Sequence, residues 1–90
     1  MRKLFLSIYI IFLSTFLVSA QSPSKKSVIE AAEKSFSSKN FYDALAKYQE
    51  LLQFESDNID FLYKAAEASR LHGAYKISVG YYEAVLNHPN

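Results

Sequence analysis

An all-α fold is predicted by three features of the chain. The first is an internal echo at a spacing of 34 residues. Ala31, Ala32, Glu33, Ser35, Tyr48 and Leu52 recur unchanged as Ala65, Ala66, Glu67, Ser69, Tyr82 and Leu86. Val28, Phe41, Leu45 and Leu51 return as Leu62, Tyr75, Val79 and Val85. A fixed period of this size marks stacked helical repeats. The second feature is the spacing of apolar residues at i, i+3, i+4 and i+7, with no sustained strand-type alternation. The third is the scarcity of breakers, with only 2 Gly and 2 Pro in 90 residues. Stacked repeats present surfaces more often than they carry chemistry, so the pattern points toward binding.

The elements follow in order. Residues 1–20 read as a secretory signal, with Arg2 and Lys3 as the charged start and an apolar run from Leu4 to Val18. Val18-Ser19-Ala20 offers the small residues of a cleavage site, predicting a cut between Ala20 and Gln21. The apolar run is shorter than the ~20 residues of a membrane-spanning helix, so no span is expected after cleavage. The first helix is predicted over about 24–37. Ser22-Pro23 can open it, and Ser27 with Glu30 offers a second start as a capping box. Asn40 is placed to cap a second helix over about 41–54, and Asp43 complements its dipole. There Phe41, Ala44, Leu45, Tyr48, Leu51 and Leu52 form one apolar stripe. A third helix over about 59–71 sets Leu62, Ala65, Ala66 and Ser69 on one side. Gly73 suits a left-handed C-terminal cap. A fourth helix over about 75–87 is expected to turn Tyr75, Val79, Tyr82, Val85 and Leu86 inward. Pro89 then stops it.

Composition narrows the function. Without the signal, 70 residues carry 8 Lys and Arg against 9 Asp and Glu, well mixed along the chain. The absence of a basic stripe argues against nucleic acid as a partner. There is no cysteine, which excludes disulfides, thiolate metal sites, thiol catalysis and a lipid-modified cysteine, so the chain is not a lipoprotein. A domain of this size gains only roughly 3–5 kcal/mol from one core.

The small residues Ala32 and Ala44, and 34 positions later Ala66 and Ser78, alternate with the large Phe41, Tyr48, Tyr75 and Tyr82. In this pattern the chain resembles the tetratricopeptide-repeat family, whose unit is a pair of antiparallel helices. The resemblance implies a right-handed solenoid with repeat one over 25–58 and repeat two over 59–90, forming a module over 21–90. Departures are Ser78 for an alanine, Ser56 where proline is frequent, and Val28 and Leu62 for the usual tryptophan. Two repeats fall below the ~3 that stabilise a solenoid, and no polar capping helix follows. The chain therefore reads as the N-terminal piece of a longer array. The alternative is a complete small protein that self-associates through Tyr81, Val85 and Leu86. The signal ending in Ser-Ala-Gln, with Phe41-Tyr42-Asp43-Ala44 and the segment Ala66 to Leu71, is similar to the N-terminus of Gram-negative envelope proteins. In those, such repeats precede a β-propeller and a peptidoglycan-binding domain similar to the C-terminus of outer membrane protein A, and some serve gliding or type nine secretion. This implies a periplasmic or outer-membrane-associated scaffold within an envelope complex.

The resemblance also implies a concave groove lined by the first helix of each repeat. The matching positions are Lys26, Ile29, Glu30, Glu33, Phe36 and Ser37, then Asp60, Tyr63, Lys64, Glu67, Arg70 and Leu71. Apolar anchors mixed with charges of both signs suit an extended or helical peptide from a protein partner. Family members that clamp a terminal carboxylate use Lys and Asn where this chain has Ile29 and Glu33, then Tyr63 and Glu67. Glutamates would repel a carboxylate, so no such clamp is expected. Glu33 and Glu67 lack an accompanying nucleophile or oxyanion donor, so no catalysis is expected. His72 and His88 have no partner at ligand spacing, so neither metal nor cofactor is expected. Most aromatics fall on packing positions. Tyr42 and Tyr81 are the exceptions, expected at an inter-repeat or partner surface.

Overall fold

The structure, a computed structural model, describes residues 24–89. The predicted signal over 1–20 and the helix opening at Ser22-Pro23 lie outside the described residues. Four α-helices follow one another: α1 (Lys25–Ser37), α2 (Phe41–Phe54), α3 (Ile59–His72) and α4 (Tyr75–Leu86). No strand occurs among the described residues, and the class is all-α. No described helix is long and apolar enough to cross a membrane.

The 34-residue echo reaches into the backbone. A helix start leaves N–H groups without partners, and a short polar side chain just before it accepts from one of them. Ser24 Oγ accepts from the Ser27 N–H at 3.2 Å, and 34 residues later Asn58 Oδ1 accepts from the Phe61 N–H at 3.1 Å. The first cap is thus Ser24 rather than Ser27. Ser27 already lies in the first turn, where its hydroxyl donates to the Ser24 carbonyl. Asn40 caps α2 as expected, with its side chain accepting from the Asp43 N–H. Ala74 occupies the equivalent place before α4 with almost the same backbone, φ −86 and ψ 68 against φ −87 and ψ 76, but has no side chain that can cap. Gly73 ends α3 in the left-handed region at φ 90, and Lys39, its counterpart, stands at φ 63.

Packing is closest between successive helices: α1 on α2, α2 on α3, α3 on α4. The two inner helices therefore carry the core. Ala44, Leu45, Tyr48 and Leu51 are buried on α2, and Phe61, Leu62, Ala65, Ala66, Ala68 and Ser69 on α3. α1 adds only Val28 and Ala32. The predicted small residues Ala32, Ala44, Ala66 and Ser78 are all buried, which lets neighbouring backbones approach closely.

The inward face of α4 differs from the sequence expectation. Tyr75, Val79 and Leu86 are 67%, 54% and 83% exposed. Tyr82 and Val85 turn inward as expected, but Ser78 and Tyr81 complete the stripe, at the same i, i+3, i+4, i+7 spacing with a different rotation. The helix is apolar on most sides, and one neighbour covers only one stripe. Tyr81, expected at an inter-repeat or partner surface, packs against the core, and its hydroxyl accepts from Gln49 Nε2 of the first 34-residue unit at 3.1 Å. Tyr42 is exposed, with its ring 5.3 Å from that of His72.

Candidate functional site

α1 and α3 form the walls of a cleft with α2 behind it. Ile29 and Glu33 stand four apart on α1 and so share a face. Asp60, Tyr63 and Lys64 do the same on α3, at i, i+3 and i+4. These five residues, with Tyr48 of α2 and Phe61 of α3, line a volume of about 370 Å³. That is near the lower end of the ~300–1,000 Å³ typical of ligand pockets, enough for a side chain or a short peptide stretch. Ile29, Tyr48, Phe61 and Tyr63 supply the apolar part. The Tyr48 and Phe61 rings lie 6.5 Å apart. Five positions expected to line the groove thus meet in one place.

The other expected positions lie outside the lining. Lys26, Glu30, Ser37 and Leu71 are exposed. Phe36 is half-buried, packing edge-on against the Phe41 ring at 5.4 Å and against the core. Lys64 Nζ sits 4.5 Å from the centre of the Phe36 ring, a cation–π contact. Glu67 and Arg70 join a network between α3 and α4. Arg70 Nη2 donates to Glu67 Oε2 at 2.6 Å, Arg70 Nε to the Tyr82 hydroxyl at 3.2 Å, and that hydroxyl to Glu67 Oε1 at 2.8 Å. The Arg70 hydrogen bond holds the Glu67 carboxyl below its ordinary value, against the opposing effect of burial, with the Tyr82 and Tyr63 hydroxyls adding to it. Glu67 in turn raises the Tyr63 phenol. The Tyr63 and Tyr82 rings meet edge to face at 6.4 Å.

The same geometry is only half built in the first repeat. Glu33 and Tyr48 stand where Glu67 and Tyr82 stand in the second. Burial raises the Tyr48 phenol above its ordinary 10.0, and the Glu33 charge raises it further. The counterpart of Arg70 is Phe36, so no guanidinium bridges this pair. Neither Glu33 nor Asp60 has an ion-pair partner among the described residues. Sequence reading assigned Tyr48 to packing alone and passed over Phe61. The paired echo of Glu33 with Tyr48 and Glu67 with Tyr82 was the signal that singles out Tyr48.

Chemically, the cleft offers carboxylates and phenols around an apolar floor. No group of three or more His, Cys, Asp or Glu among the described residues could hold a metal ion. A second tie joins α1 to α2: the Ser35 hydroxyl donates to Asp43, and Lys47 Nζ lies 3.3 Å from the other carboxylate oxygen. Compared with family models, with curated proteins and with solved structures, the chain finds no match.

Proposed function

We propose that this chain is an exported tetratricopeptide-repeat module that binds a segment of a partner protein along the surface made by α1 and α3. The observation that carries this reading is the cleft where Ile29, Glu33, Asp60, Tyr63 and Lys64 converge. Its exposed aromatic surface is of the kind enriched at protein interfaces, and the charges beside it can set the register of a docked segment. The 34-residue correspondence of Ser24 with Asn58, and of Lys39 with Gly73, supports the repeat reading. The apolar run after Arg2 and Lys3 supports export, and the module then acts as a scaffold in a Gram-negative envelope complex. Expression in a Gram-negative host followed by N-terminal sequencing is expected to find Gln21 first.

The binding surface is tested by placing a photo-crosslinking amino acid at Tyr63 in the groove and, separately, at Glu50 on α2. Partner adducts from envelope extract are expected at position 63, and fewer after Ile29→Ala. Equal adducts from position 50 would remove the groove from the proposal. A second reading is favoured by the apolar side chains left exposed on α4. Beside them Leu62, Ile77, Gly80, Tyr81 and Ala84, with Lys76, line a shallow, largely apolar depression. Self-association through α4 predicts a dimer by light scattering that Ile77→Glu disperses. A monomer at all concentrations sinks that reading.

A further inference from the structure

The two repeats contain the same tyrosine–glutamate pair in two states of completion. In the second, Arg70 bridges Glu67 and the Tyr82 hydroxyl with two donors. In the first, Tyr48 is only 3% exposed and lines the cleft, yet its hydroxyl has no hydrogen-bond partner among the described residues. The ring is buried while the hydroxyl oxygen itself stays accessible, so an arriving donor or acceptor can reach it. Glu33 and Asp60 line the same cleft unpaired. Lys64 is the one cation in the lining, and its ammonium rests on the Phe36 ring rather than in an ion pair.

We infer that the cleft receives a cationic side chain, arginine in preference to lysine, from the bound protein segment. The guanidinium enters between Glu33 and Asp60 and meets the Tyr48 hydroxyl as Arg70 meets that of Tyr82. Arginine is preferred because its planar fork can donate to a carboxylate and a phenol oxygen together, while lysine offers a single point of charge. Its methylene stem lies against Ile29, Phe61 and Tyr63, which supply apolar surface beside the charge. This inference rests on the groove reading above and names the chemistry of what the groove holds.

The test uses the full chain, labelled with nitrogen-15, and four blocked heptapeptides identical except for a central arginine, lysine, norleucine or glutamate. The arginine peptide is expected to shift the amides of Glu33, Tyr48 and Asp60 saturably. The norleucine peptide should bind about tenfold more weakly, the scale of two partly exposed charge contacts, and the glutamate peptide weaker still. Glu33→Gln is expected to weaken the arginine peptide severalfold and Lys64→Gln to tighten it. Glu83→Gln, with the same charge change outside the cleft, is expected to leave it unchanged. Opposite signs from Glu33→Gln and Lys64→Gln separate local charge from damage to the fold, which only weakens binding. Equal affinity for arginine and norleucine overturns the cationic assignment and leaves the groove standing. If no peptide shifts any amide of α1 or α3, the groove reading falls with it.

Discussion

Single side chains tie these helices together, and the clearest case is Ser35 on Asp43. The serine hydroxyl is the main reason the Asp43 carboxyl sits below its ordinary 3.8, with Lys47 adding to the effect against some burial. A carboxyl depressed in the folded state contributes stability that is complete above 3.8 and fades as pH falls through the lower folded value. Ser35→Ala is therefore expected to move the Asp43 carbon-13 titration back toward 3.8. It should destabilise the protein at neutral pH and lose that effect in acid. An unmoved titration would assign the depression to Lys47. At this scale the sequence was informative where a residue recurs in kind. Ser35 and Ser69 are echoes, although Ser69 spends its hydroxyl on the Ala65 and Ala66 carbonyls of its own helix. It was silent where the echo breaks. Tyr81 corresponds to Lys47, so the sequence could place this phenol between the two units but could not name Gln49 as its partner. Tyr48 was legible as a packing residue, but the state of its hydroxyl depends on what Phe61 and Glu33 do across helices.

Among the elements, α4 is the least well finished. Its N-terminus lacks the side-chain cap that Asn40 gives α2, although the backbone at Ala74 is nearly superposable on that at Asn40. Ala74→Asn is expected to raise stability by about 0.5–2 kcal/mol, read as a higher urea midpoint with unchanged slope. Gly80 lies inside the same helix, and an added Cβ there would meet nothing within 4 Å. Gly80→Ala should add about 0.8–1 kcal/mol from helix propensity alone. A loss instead of a gain would mean that another chain covers this position. All four helices were legible in the sequence, because caps and breakers bracket strongly periodic runs. The rotation of α4 was not. Tyr75, Ile77, Val79, Tyr81, Tyr82, Val85 and Leu86 cover more than half of its circumference, so periodicity allows several stripes and only the placement of α3 selects one.

Across the whole molecule, each helix leans chiefly on its neighbours in sequence, so stability should be graded along the stack rather than shared equally. Amides in the middle of α2 and α3 are expected to exchange with solvent most slowly. Those of α1 and α4, each packed on one side, should exchange faster at neutral pH. Uniform exchange rates would indicate a single cooperative unit. Five positions of the cleft could be read from the sequence, but its floor could not, since that needs Tyr48 of α2 behind the gap between α1 and α3. The matched turns at Lys39 and Gly73 have a different consequence. Both turns demand a left-handed residue, but only glycine, which has no Cβ to crowd the backbone, adopts that conformation freely, a difference of about 1–2 kcal/mol. Each half of the chain is thus a ready-made variant of the other on a common backbone. Exchanging the two residues, as Lys39→Gly with Gly73→Lys, should relieve one turn as much as it loads the other and leave the melting temperature nearly where it began. Any remainder would measure how differently the two turns resist being bent.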